Sequence, residues 1–377
     1  MKAAGEARKH DALVIGGGLA GATVAARLAG AGRSVALFEK SMAPHDMMCG
    51  EFLSQEALHY LERSGIDPIA LGGVPLHGVR IARRGIVAEA RLPFRAVSLR
   101  RRVLDEAVLQ HARDAGAEVR RGVRVQAIRR DGPGHVARLE GETSVSGASV
   151  FLATGKHDLQ GQPRVGGWQN NLVAFKMYFR LTDSQREELS EHVELILFPG
   201  GYAGLQPVDA GLANLCLLVT RGQLRRSGAN WAGLLEHLCA QSPHLAERLR
   251  GATPVLDRPL ALSSIPYGFL ADGTAAVPGV WRVGDQAAVI PSFSGDGMSI
   301  ALHSAHLAAE LYLNGASSSE FAARMRRELR GGITLATGIS QLLVRLPGAA
   351  GLSRWRPGLL REIAMATRIP RGSLLGS

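Results

Sequence analysis

Gly16, Gly18 and Gly21 stand in the spacing Gly-x-Gly-x-x-Gly, and Glu39 follows them at about the twenty-residue distance where this pattern places an acid. The chemistry open to such a set is the binding of a dinucleotide. Gly16 permits a tight turn, and Gly18 lets backbone N–H groups approach a pyrophosphate. Gly21 lets helix and strand pack closely, while the helix N-terminus offers its positive end to the phosphates. The Glu39 carboxylate suits a pair of ribose hydroxyls, with Lys40 beside it, and argues against a 2′-phosphate. FAD and NAD share this unit, so the pattern alone leaves the dinucleotide open.

A second set lies in WRVGDQAAVIPSFSGDGMSIAL at 281–302. Asp285, at a strand's carboxyl end, is placed to accept hydrogen bonds from sugar hydroxyls. Gly295 and Gly297 open a helix whose bare backbone, with Met298 next, can face an anion or a polar ring edge. Other reactive side chains are scattered. Cys49 reads as a small buried hydrophobe or a proton donor. Lys156 and His157 follow a strand end at Ala153 and read as solvent-facing or ligand-reaching groups. There is no Ser-His-Asp order, no metal-ligand spacing and no paired carboxylates on one helix face. No catalytic residue is therefore assigned and no metal is expected.

The elements that must position these residues can be read from periodicity. An apolar strand at Ala12–Ile15, a helix at Ala22–Ala31 and a strand at Ser34–Phe38 carry the first set. A helix is expected over Ser54–Ser64, with Gly65 as its cap, and strands over Val79–Arg91. Arg100–Gly116 reads as an amphipathic helix with Val103, Leu104, Ala107, Val108 and His111 on one face. Short strands are expected at Glu118–Arg129 and Gly134–Glu140, joined by a D-G-P-G turn, and an apolar strand at Val150–Ala153 runs into Thr154-Gly155. The texture changes near Gly161. Ala174–Leu181, Val193–Phe198 and Leu212–Thr220 read as antiparallel strands, followed by helices at Trp231–Ala240 and Pro243–Arg250. Val280–Val283 reads as a strand, Gly297–Leu313 as a long helix, and Ile333–Leu346 as an amphipathic one.

The expected fold is α/β with an α+β insertion. A discontinuous Rossmann-type nucleotide-binding domain takes 1–75, 96–160 and 270–318. A substrate-binding antiparallel sheet takes 76–95 and 161–269, and a helical C-terminal region takes 319–377.

The 377 residues are 46% hydrophobic and 20% charged, as in a folded globular chain. Net charge is +11, and lysine occurs only at 2, 9, 40, 156 and 176, so arginine supplies nearly all of it. Such a surface suits solvent, anionic membrane lipids or a carrier protein. With aromatic residues at 5% and no basic run interleaved with them, nucleic acid is not an expected partner. Cys49, Cys216 and Cys239 have no disulfide or metal spacing, which fits a reducing cytoplasm. MKAAGEARKH lacks the apolar core of a signal peptide, and no stretch reaches the roughly twenty apolar residues that span a bilayer.

Four motifs make the chain similar to FAD-dependent oxidoreductases of the superfamily of para-hydroxybenzoate hydroxylase-type monooxygenases, geranylgeranyl reductases and flavin-dependent halogenases. They are GGGLAG with Glu39, MCGEFLSQEAL at 48–58, LRRRVLD at 99–105 and VGDQAAVIPSFSGDGMSIAL. The pattern, with ATG at 153–155, spans residues 11 to about 315 and most resembles the geranylgeranyl-reductase-like branch. The resemblance implies FAD, held by Gly16, Gly18, Gly21, Glu39, Lys40, Gly50, Arg101, Ala153, Gly155, Asp285, Gly295, Gly297 and Met298. It places Asp285 on the ribityl chain, Gly295 and Gly297 on the pyrimidine side of the isoalloxazine, and Cys49 near the ring. Phe198, Tyr202, Tyr267 and Phe293 are implied to line the substrate face.

The chain departs from the family at two places. Thr154-Gly155 replaces an Asp-Gly pair tied to NAD(P)H use, which leaves NAD(P)H only a candidate electron donor. In YAGLQP at 202–207, Tyr202 and Pro207 keep the reductases' aromatic motif, but Gly204 and Gln206 replace its tryptophan and phenylalanine. The halogenases' Trp-x-Trp-x-Ile-Pro segment has no counterpart. The leading expectation is a monooxygenase that hydroxylates a hydrophobic aromatic or polyketide-type molecule through a flavin hydroperoxide, as in secondary metabolism. The alternatives are saturation of alkenes in an isoprenoid or lipid, and a structural or redox-neutral flavin. The location expected is cytoplasmic, with peripheral membrane contact as an option.

Overall fold

The computed structural model describes residues 9–141, 144–164, 166–209, 211–272, 277–345, 362 and 365–375. The chain opens with β1 (Lys9–Ile15), α1 (Leu19–Gly30), β2 (Val35–Glu39), β3 (Phe52–Ser54) and α2 (Gln55–Arg63). It continues through β4 (Val74–Arg83), β5 (Ile86–Ser98), α3 (Arg101–Asp114), β6 (Glu118–Arg121), β7 (Val125–Asp131), β8 (Gly134–Leu139) and β9 (Ser144–Leu152). The middle holds β10 (Leu172–Arg180), α4 (Asp183–Leu189), β11 (His192–Phe198), β12 (Gly201–Asp209) and β13 (Leu212–Thr220). Helices α5 (Arg221–Arg226), α6 (Trp231–Gln241) and α7 (Pro243–Arg248) follow, then the short strands β14 (Thr253–Pro254), β15 (Leu260–Ser263) and β16 (Phe269–Leu270). The last described elements are β17 (Val280–Arg282), β18 (Ala288–Val289), α8 (Gly297–Leu313) and α9 (Ser318–Arg345).

One sheet has seven strands, with order β6-β2-β1-β9-β8-β7 and β17 also on β9. Its β6, β2, β1, β9 and β17 run parallel. Central parallel strands are covered on both faces and so read as continuous apolar runs, which is why Leu13, Val14 and Ile15 are all buried. Helix α1 is buried almost all round, because it is packed against α3 and α8 as well as the strands. The expected strand region Glu118–Arg129 divides: β6 extends the parallel edge, while β7 turns back on β8 at Asp131–Gly134. On α3 the buried stripe is Leu104, Val108, Leu109 and Ala112. It lies slightly round from the expected face, so Val103, Ala107 and His111 are only half-buried.

The other sheet has nine strands, with order β14-β10-β13-β12-β11-β4-β5-β3 and β15 on β10. Strands β10 to β13 are antiparallel neighbours, and β11 joins β4 in parallel. Strand β12 holds YAGLQP, whose alternation is masked by Gly201, Gly204 and Pro207. Side chains alternate across the sheet. One face, with Phe175, Met177, Leu215, Leu217 and Ile196, packs on Leu234, Leu238 and Leu245 of the helical side. The opposite face looks toward the first sheet's domain. Helices α4 and α5, each of one to two turns, carry no long apolar period and are not apparent from the sequence.

Within the expected helical tail, α9 is observed, and 346–361 lies outside the described residues. Ile369 and Leu374 return to the core formed by α1, α2 and α8. Among the described residues, no helix is long and apolar enough to cross a membrane.

Candidate active site

The first glycine turn is built by exclusion. Gly16 has φ +107°, and a Cβ there would stand 2.4 Å from the Ala153 carbonyl oxygen. At Gly21 a Cβ would meet the Gly16 carbonyl oxygen at 1.9 Å, so no larger residue permits this approach. Glu39 is held by two backbone donors: Gly17 N–H to Oε2 at 2.7 Å and Ser41 N–H to Oε1 at 2.8 Å. Lys40 is exposed, and its charge helps burial depress the pKa of His157.

The start of α3 closes the turn from the side. A Cβ at Gly18 would lie 3.7 Å from the Arg101 guanidinium. Arg101 also holds Asp105 through bonds of 2.9 and 3.0 Å. Burial opposes the Arg101 charge, but Asp105 and Cys49 hold it and raise its pKa.

The second strand end faces the first. Gly155 has φ +61° and Gly284 the same value, and the buried Gln286 amide donates to the Gly155 carbonyl at 2.9 Å. Asp285 accepts from Lys156 Nζ at 3.1 Å, and the same ammonium reaches the Met48 carbonyl at 3.4 Å. Lys156 is thus not the solvent-facing group expected, whereas His157 is exposed. Burial works against the Lys156 charge, but Asp285 and Cys49 raise its pKa. Gly295, with φ +75°, lies where a Cβ would strike Phe52 at 2.6 Å, while Gly297 opens onto free space. Met298 offers only its backbone here, because its side chain is in the core.

Between these ends runs the segment 46–51, gripped by the sheet. Glu51 has φ +65°, an uncommon value for a non-glycine residue. Its carboxylate, fully buried, pairs with fully buried Lys176 at 2.8 Å. It also accepts from Tyr178 Oη at 2.7 Å, Asn214 Nδ2 at 3.1 Å and the Arg101 N–H at 2.8 Å. Lys176 donates to the Met47 carbonyl (2.9 Å), Asn214 to Cys49 and Gly50 (3.1 and 3.0 Å), and Gln206 to Glu51 (3.0 Å). Tyr178 lies between two cations, Arg100 at 4.5 Å and Lys176 at 4.6 Å from its ring centre. Burial and the Glu51 charge push its phenol pKa well up.

Sequence reasoning passed over Glu51, Lys176, Tyr178 and Asn214. The available signal was a lysine in LVAFKMYFR and an asparagine in LANLCLLVT, charged or amide groups on otherwise apolar strands.

Farther along the same face the sheet turns apolar. Leu197 stands opposite Tyr202, which stands opposite Leu218, which stands opposite Ala174. Tyr202 Oη lies 3.2 Å from Ser292 Oγ, and its ring meets Phe293 edge-on at 6.0 Å. Tyr267 joins this cluster. Phe198 does not: strand alternation sends it to the opposite face, into the core beneath α5–α7, and Leu197 takes the position expected of it. Burial pushes the Tyr202 phenol up to about 12 and lifts Tyr267 well above its ordinary value. Beyond the cluster is a cavity of about 530 Å³, bordered by Trp168, Asn171, Thr220, Arg226, Val344 and Arg345, with no carboxylate in its lining.

Residues 9–149 match the family described as FAD binding domain. A menaquinone reductase of Mycolicibacterium smegmatis is 28% identical over 323 residues, covering 81% of this chain and 77% of the relative. A flavoprotein/dehydrogenase from Cytophaga hutchinsonii superposes with TM-score 0.78 at 18% identity, covering 96% of this chain and 92% of that one. The myxobacterial chondrochloren halogenase CndH gives 0.76 at 20%, covering 98% and 93%. The last two similarities are similarities of fold.

The chain is an FAD-dependent oxidoreductase. Its fold is that of the para-hydroxybenzoate hydroxylase superfamily, and its cofactor is FAD. The residues present fit that group. The Arg101 guanidinium faces the glycine turn, where diphosphate charge needs a partner, and the Glu39 oxygens are oriented by backbone amides. Cβ atoms added at Gly50, Gly155 and Gly297 would meet nothing within 4 Å, so the backbone lies open at these three borders.

Proposed function

We propose that the chain is a reductase that uses FAD to saturate a double bond of a prenylated, quinone-class lipid. FAD would be held by the Gly16–Gly21 turn and Arg101 at its diphosphate and by Glu39 at the adenosine ribose. Asp285 would take the ribityl chain, and the start of α8 the ring. When bound, the flavin supplies a hydride. The observation that carries the reading is the apolar row Ala174, Leu218, Tyr202 and Leu197, which meets Phe293 on the loop before α8.

The two buried phenols of this cluster, Tyr202 and Tyr267, stay protonated. They can donate a proton or a hydrogen bond to a substrate, whereas activation of a phenol for hydroxylation requires a base. The 28% identical menaquinone reductase supports a lipid quinone as the substrate class. Trp168, Arg226 and Arg345 at the cavity, with exposed Leu335 and Leu342 on α9, fit contact with the anionic lipid surface from which such a substrate would come.

A second reading, hydroxylation of a hydrophobic aromatic compound, is favoured by Gly204 and Gln206. Gly204 leaves the pocket without an aromatic wall there, and Gln206 is engaged with Glu51 and Ser98.

Anaerobic incubation of the dithionite-reduced holoprotein with a prenylated naphthoquinone separates the readings. The reductase yields a product two hydrogens heavier that keeps the gain after reoxidation in air. A product that reverts in air, or one heavier by an oxygen atom only under aerobic conditions, contradicts it.

A further inference from the structure

The C-terminal segment reaches into the loop before α8. Arg368, its side chain 6% exposed, donates from Nη1 to Asp296 Oδ1 at 2.5 Å and from Nη2 to the Ser294 carbonyl at 2.9 Å. Its guanidinium stacks 4.1 Å over the Phe94 ring and lies 3.8 Å from Glu56 Oε2. Glu56 accepts from Ser54 Oγ, which lies 2.7 Å from Ser299 Oγ in the first turn of α8. Arg368 thus ties α2, the loop at 294–296 and, through Ser54, α8 together.

Asp296 occupies the N-cap position of α8, where aspartate ordinarily accepts a bond from the helix's first amides. Here its side chain makes no capping bond. Its backbone is helical, at φ −95° and ψ −2°, rather than extended as at a capping aspartate, and its carboxyl is turned back onto Arg368, so the first turn of a 17-residue helix has no side-chain cap. These first-turn amides border the space assigned above to the flavin ring.

The geometry points to Arg368 as a positioning residue: it withholds the Asp296 carboxylate from the α8 N-terminus and so keeps those amides for the pyrimidine side of FAD. The inference rests on the FAD placement proposed above. It gives the chain's last residues, which lie beyond the family-like pattern, a part in the cofactor site.

The test compares wild type, R368Q, R368K and the double variant D296A/R368Q by FAD titration, visible spectrum and midpoint potential. In R368Q, assayed above the pH at which Asp296 ionises, the freed carboxylate competes for the amides, so the FAD Kd rises at least tenfold. A further tenfold preference for oxidised over reduced FAD lowers the two-electron midpoint by about 30 mV. R368K retains most of the affinity. D296A/R368Q, with no carboxylate to compete, binds FAD within about threefold of wild type, which a merely structural role for Arg368 would not produce.

Should R368Q prove too unstable to load, D296A alone decides. Affinity within threefold of wild type is expected, and a tenfold loss overturns the inference. Wild type that binds FAD while R368Q matches it in Kd and potential overturns the inference alone. Wild type that takes up no FAD overturns the cofactor placement beneath it.

Discussion

The face of the nine-stranded sheet that looks toward the cofactor domain has two ends of opposite character. At one end Lys176, Tyr178, Asn214 and Gln206 grip residues 47–51 through a buried charge pair and a set of hydrogen bonds. At the other, Ala174, Leu218, Tyr202 and Leu197 offer an apolar wall with one phenol. Both ends obey the same two-residue alternation. What differs is the partner: the polar end faces a backbone segment whose carbonyls need donors, and the apolar end packs on the side chains of Tyr267, Phe293 and Val344. The buried charge pair and its hydrogen bonds are concentrated beside the cofactor segment, and the apolar packing lies where the proposed function puts the substrate.

Breaking the polar end has the largest expected effect. K176M leaves the Glu51 carboxylate buried without its cation and loses about 3–5 kcal/mol in denaturant titration. Adding E51Q recovers about half, because the uncompensated charge is gone. The two faces of one strand sharpen the comparison next. F198A costs about 3–5 kcal/mol of stability and leaves KM unchanged, whereas L197A raises KM.

The loop before α8 adds a pH dependence. Burial, with Glu56 nearby, lifts the Asp296 carboxyl from 3.8 to about 7, against the pull of Arg368. Because the folded pKa is raised, this group's stabilising contribution is complete below about pH 4 and declines as pH rises through 7. Melts across pH 4–8 show a fall of a few kcal/mol from this group in wild type that D296N lacks. The smallest effect is at the apolar end: Y202F, losing the partner of Ser292, lowers kcat/KM by about 1 kcal/mol, or roughly fivefold.

The sequence made the cofactor half of this picture legible because its constraints are local. A glycine forced by φ +107° or by a carbonyl 1.9 Å away leaves the same mark wherever it occurs, and α8 shows its full extent as an unbroken apolar period. The sheet domain was legible as strands but not as a site. Phe198 was assigned to the wrong face because strand alternation gives two faces without saying which one meets the cofactor domain. Glu51 and Lys176 stand 125 positions apart in the sequence, so only the fold shows that they pair. Arg368 is hidden in the same way, since its partner Asp296 is 72 residues earlier.

The central claim is that reduced FAD at this site passes its electrons to a lipid quinone-class substrate held by the apolar end of the sheet. Under strict exclusion of oxygen, the reduced holoprotein is titrated with a prenylated naphthoquinone and followed at the flavin absorbance maximum. The account predicts full reoxidation at one equivalent of substrate, with a product that keeps its two added hydrogens after exposure to air. A flavin that stays reduced until oxygen is admitted would contradict it.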